Sequence, residues 1–154
     1  MIVSNGLFGT AAAMTADLTL LMEILMGGCL LIGALLARRK HYREHAWCQS
    51  AVVLLNLLLI VAAMIPSFRA NVTPKIPARL GRSFYALATV HAALGSVVEV
   101  AGIYVLLAAG TQILPAHLRI REYKTTMRTL LILWWLVLLL GLITYVRWYV
   151  PHLF

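Results

Sequence analysis

"LLILWWLVLLLGLITYV", residues 130–146, contains no charged side chain. As a helix this stretch rises about 25 Å, and with its flanks it covers the ~30 Å hydrocarbon layer of a bilayer. The whole run extends over 129–150, and three more of the same kind lie at 14–37, 47–66 and 84–109. Lipid tolerates no unsatisfied backbone, and the runs lack the alternation of barrel strands, so they read as helices. The expectation is an all-α, integral-membrane four-helix bundle, with a tail at 1–13 and a single domain over 14–154. Composition points the same way. The chain is 62% hydrophobic and 12% charged, against about a quarter charged in soluble domains. Its mean hydropathy is +0.91. Pro66 is expected to close the second run, Pro74 and Pro77 to stiffen the second connection, and Pro115 to break the third.

The net charge of +8 is not one patch. Nearly all of it lies in the connections, which argues against nucleic acid and for membrane orientation and anionic headgroups. Arg38, Arg39, Lys40, Arg43, Arg119, Arg121, Lys124 and Arg128 fall on one side, against Arg69, Lys75, Arg79, Arg82 and Arg147 on the other. The richer side is cytoplasmic by the positive-inside rule. Connections 38–46 and 110–128 are then cytoplasmic, and both termini face the outer side of the membrane. Tyr145, Trp148 and Tyr149 read as an aromatic belt at the outer interface. The first run follows no basic n-region and is expected to be a retained span. Cys29 and Cys48 show no CxxC or metal-ribbon spacing and read as unpaired small hydrophobes.

Polar groups inside such runs face a bundle interior or a cavity. At 100° per residue, His45, Gln49, Asn56 and Ala63 share one stripe, and His91, Gly95, Glu99 and Gly102 share another. Glu23, Gly27 and Ala34 form a third, and Tyr123, Trp134, Gly141 and Tyr145 a fourth. Small residues let helices approach and polar ones bond across the seam, so the four stripes are expected to face each other. Glu23 and His91 fall at matching depth in the outer half and are expected to pair. Glu99 lies deeper without a basic partner, which marks it as a group that stays neutral or carries protons.

"RRKHYREH", residues 38–45, poses the metal question, because His41 and His45 stand at i, i+4. Bis-His haem ligation needs two histidines from different helices at one depth. His91 lies toward the opposite face from His45, while His41 and His117 sit in or beside basic connections. His45 heads a polar stripe and is the candidate for a ligand or functional contact; its charged neighbours are anchors. His152 reads as interfacial. Met22, Met26 and Cys29 have a spacing that suits soft Cu(I) but is the ordinary spacing of packing residues. No nucleophile–base pair, phosphate-binding glycine loop or HExxH helix is present in the sequence, so no enzyme is indicated.

The register of these residues resembles the CtaM/YozB-type family of small four-helix bacterial membrane proteins. Gly33 followed by "ALLARRK" is similar to that family's end of the first span, with Glu23 at a polar position. His45 stands at its histidine opening the second span, and "HAAL", 91–94, resembles its His-x-x-Leu. Arg128, Trp134, Gly141 and Tyr145 keep the order of its Arg…Trp…Gly…Tyr signature, so the resemblance covers about 20–148. The family tends to carry a histidine where this chain has Tyr123. That departure leaves a single-His site or a His45–Tyr123 hydrogen bond in place of a bis-His pair.

The resemblance implies an assembly or accessory protein of a respiratory haem-copper oxidase, partnered by lipid and another integral-membrane respiratory subunit. Haem b is the candidate cofactor, with His45 and His91 as separate candidate ligands at different depths, beside a seam of Glu23, Gln49, Asn56, Glu99, Tyr123 and Tyr145. A b-type electron-transfer protein using His45 or His91, and a small proton-coupled transporter or channel using Glu23 and Glu99, are the rival expectations.

Overall fold

The computed structural model describes residues 6–9, 12–115 and 118–150, and His117 and His152 lie outside them. The described residues are helical, with no strand. Five α-helices build the fold: α1 (Met14–Arg38), α2 (Tyr42–Leu59), α3 (Ile65–Asn71), α4 (Ser83–Gly110) and α5 (Tyr123–Tyr149). A π-helical turn, Ile60–Met64, joins α2 to α3, so Tyr42–Lys75 is one continuous rod. Four helices are thus long and apolar enough to cross a membrane. Each packs beside two others, in the ring order α1, α2, α4, α5.

Pro66 does not close the second run. The rod continues to Asn71 because the chain widens just before the proline, where the Ile65 N–H reaches back five residues to the Ile60 carbonyl. A proline ring presses on the preceding turn and brings no N–H, and the wider π turn relieves the first of these. The connections are also shorter than the 38–46 and 110–128 expected. α1 ends at Arg38 and α2 begins at Tyr42, while α5 begins six residues before its apolar run does. Charged residues are compatible with helix; they only leave the apolar layer. Hydropathy therefore finds the buried part of a helix, not its ends.

The α1–α2 turn has a defined form. His41 N–H bonds the Leu36 carbonyl and Lys40 N–H that of Ala37, the Schellman pattern. Lys40 holds the left-handed position at φ 65°, where glycine is usual. A Lys40→Gly exchange is expected to raise stability by about 1 kcal/mol by removing the Cβ strain. Thermal melts of the detergent-solubilised protein check this, and an unchanged or lower midpoint would count against it.

Only a narrow seam is buried. Met26, Leu30 and Val52 form its centre, flanked by Leu59, Leu131 and Trp134. α5 has no buried residue, and Ile132, Leu136 and Leu139 point outward from it. In water such a surface would be an aggregation liability. In hydrocarbon it is an ordinary outer face, since lipid tails are as apolar as leucine.

Candidate functional site

The inner stripes converge, but in pairs that divide the seam into levels. Nearest the α1–α2 turn, His45 Nδ1 lies 2.8 Å from the Gly33 carbonyl and Gln49 Nε2 donates to that of Leu30 at 3.4 Å. Gly33 leaves room for the Gln49 amide, which a Cβ there would displace. Cys48 Sγ donates to the Cys29 carbonyl at 3.2 Å, and both cysteines are free. Three side chains of α2, His45, Cys48 and Gln49, thus tie it to backbone carbonyls of α1. His41 stays outside, exposed and 3.9 Å from Glu44. The expected His45–Tyr123 bond is not made. Tyr123 instead donates to the Ala108 carbonyl at 3.0 Å and fastens α5 to the end of α4.

Midway along the bundle Asn56 Nδ2 donates to Glu99 Oε2 at 2.8 Å. Glu99 is only 4% exposed, and its Oε1 is buried without a partner. Glu99 was expected to lack a basic partner. Its partner is an amide on the neighbouring stripe, which satisfies one oxygen.

Further along, Glu23 and His91 meet at Gly141. A Cβ on Gly141 would come within 2.9 Å of Glu23 Oε2 and 3.0 Å of His91 Cε1. The two side chains share this hollow but form no direct bond, and in that respect the expected pair is corrected. His91 Nδ1 instead lies 3.1 Å from the Val137 carbonyl. A carbonyl only accepts, so Nδ1 carries the proton of this contact.

At the far end Asp17 is fully buried. It accepts hydrogen bonds from the Phe8 backbone N–H at 3.2 Å and from the Tyr145 hydroxyl. Sequence reasoning passed over Asp17. An acid in the first turn of a helix reads as a helix-start residue, and Asp17 falls off the Glu23 stripe. Trp148 stacks flat on Phe84 with ring centroids 4.6 Å apart. Tyr145 and Trp148 are therefore inward tethers to α1 and α4 rather than an outward belt, because Asp17 and Phe84 offer partners that lipid does not.

All but the first of these levels contribute to one cavity of about 990 Å³, bounded by all five helices. Glu23, Asn56, His91, Glu99, Trp134 and Tyr145 are among its walls; His45, Gln49 and Tyr123 are not. Antiparallel α4 and α5 set the depth scale. Phe84 lies level with Trp148, His91 with Gly141 and Gly95 with Val137. That register puts Glu99 level with Leu133 and Trp134, and from there to Trp148 the cavity runs about 22 Å. Among the described residues no three His, Cys, Asp or Glu side chains gather as a metal site. Met26 is core and Cys29 is exposed, so the Met22–Met26–Cys29 set is split as well. Comparison with protein-family models, with curated proteins and with solved structures finds no match for this chain.

Proposed function

We propose that this chain is a non-enzymatic membrane protein that holds an amphipathic guest in its intramembrane cavity and serves a respiratory haem-copper oxidase as an assembly or accessory protein. The carrying observation is the 990 Å³ cavity whose apolar walls present Glu23, His91 and Glu99. Largely apolar pockets of this size with a few convergent polar groups are the usual form of a ligand site. The oxidase part is supported by the resemblance at His45, "HAAL" and Arg128–Trp134–Gly141–Tyr145. The partners on this reading are lipid and an oxidase subunit against the exposed faces. The distribution of Arg and Lys supports a bacterial cytoplasmic membrane with both termini outside.

Haem suits the cavity on one side only. His91, whose Nδ1 lies 3.1 Å from the Val137 carbonyl, would offer Nε2 to a haem iron. His45 lies in the α1–α2 seam and supplies no second ligand there. The geometry thus gives a bis-His cytochrome on His45 and His91 no support. A proton-coupled transporter is the second reading, favoured by Glu23 and Glu99 lining one cavity.

Deleting the gene is expected to lower the amount of assembled oxidase, read from its haem spectrum in membranes. His91→Ala is expected to lower it as well while the variant protein stays at wild-type level. Normal oxidase in the deletion strain would refute the accessory role. Proteoliposome proton flux that disappears in Glu23→Gln and Glu99→Gln would favour the transporter.

A further inference from the structure

The cavity's own hydrogen bonds constrain what it can hold. Thr19, Thr89, Ser96 and Thr144 line it, and each donates its hydroxyl proton to the carbonyl four residues back, at 2.8 Å. Those hydroxyls offer a guest only lone pairs. His91 gives its Nδ1 proton to Val137, so that proton is not available to a guest. Asn56 donates to Glu99, whose second oxygen is buried, unpartnered and part of the wall. At the Glu99 level the wall thus offers an orphan carboxyl oxygen and the lone pairs of Ser96, and no free hydroxyl proton.

Charge narrows the choice. Two carboxyl groups, Glu23 and Glu99, share the cavity, and Arg69 is its one Arg or Lys. Arg69 lies thirteen residues beyond Asn56 on the second rod, about 20 Å from the Glu99 level. Trp134 stands level with Glu99 in the cavity wall, and an aromatic ring beside the carboxyl favours a cation. Toward Trp148 the cavity continues for about 22 Å between walls that are largely apolar but broken by Glu23, His91 and the threonines, room for a hydrocarbon chain.

We infer that the cavity takes an amphipathic organic cation bearing N–H donors, its ammonium group at Glu99 beside Trp134 and its chain directed toward Trp148. This rests on reading the cavity as a ligand site, and not on the oxidase assignment. A guest of this kind supplies the hydrogen-bond donor that the second Glu99 oxygen lacks, and a positive charge at a level about 20 Å from Arg69.

The test uses the full chain in nanodiscs, with titration calorimetry corrected against empty nanodiscs. The probes are octylamine, octyltrimethylammonium, which has charge but no N–H, and octanol, which has a donor but no charge. Octylamine is expected to bind roughly tenfold more tightly than either of the others, and roughly tenfold less tightly to Glu99→Gln. The wild-type series decides the matter even where a variant fails to fold. Equal affinities for the three probes would overturn the proposal. Tighter binding of octanol, or of a neutral dihydric phenol, would overturn the cation and leave the cavity reading standing. Absence of any binding above empty nanodiscs would remove both.

Discussion

Asn56→Leu is expected to lower folding stability by about 2 kcal/mol, the larger part from the carboxyl it abandons. Asn56 holds one oxygen of Glu99 at 2.8 Å while the other already lacks a partner, and Glu99 is 4% exposed. A hydrogen bond between helices in lipid contributes only ~0.6 kcal/mol on average. Leaving a buried acceptor unsatisfied costs ~1–3 kcal/mol, so desolvation and not the lost bond sets the size. The double variant Asn56→Leu/Glu99→Leu is expected to recover most of the loss, because removing both partners leaves nothing unpaired. Unfolding of the four proteins in one detergent measures the cycle. If Asn56→Leu unfolds with the wild type, the carboxyl does not depend on the amide.

Gly141→Val is expected to cost about 1–3 kcal/mol and to abolish guest binding. The added carbons meet Glu23 Oε2 and His91 Cε1 at 2.9 and 3.0 Å, and these belong to two different helices. α5 must then move away from α1 and α4, or the side chains must swing into the cavity. Either response changes the hollow in which Glu23 and His91 face each other. Gly28→Ala is the control, because nothing lies within 4 Å of a Cβ there. By helix propensity it is expected to be neutral or to stabilise by up to ~1 kcal/mol. Wild-type stability and octylamine affinity in Gly141→Val would show that the hollow is not part of the site.

The two substitutions probe features of differing legibility. Gly141 stands on a stripe that the sequence displays directly, with Trp134 and Tyr145 at helical spacing. Asn56 and Glu99 also stand on stripes, but nothing in either stripe states that they are partners. Depth counting brought Glu23 and His91 to one level, and the structure has them converge on Gly141 without bonding. The same counting left Glu99 alone, because it sought a charge and the structure supplies an amide. His45 shows the limit most clearly. As the head of a polar stripe it resembled a ligand, yet its ring spans the short distance to the Gly33 carbonyl. A carbonyl partner has no sequence signature, since every residue carries one.

By itself the sequence determined four apolar helices and the face that each turns inward, because hydropathy and the 3.6-residue period are local properties of the chain. It also marked the charged turn at 38–45, although not the left-handed Lys40 that shapes it. Only the tertiary structure decided the ring order of the helices, the continuation through Pro66 and the use of Asp17 as a tether for α5. It also decided that His91, and not His45, faces the cavity with Glu23 and Glu99. The physical reason is one of range. Periodicity fixes the direction of a side chain about its own helix axis, but its partner depends on the rotation, depth and separation of a second helix, which packing alone sets.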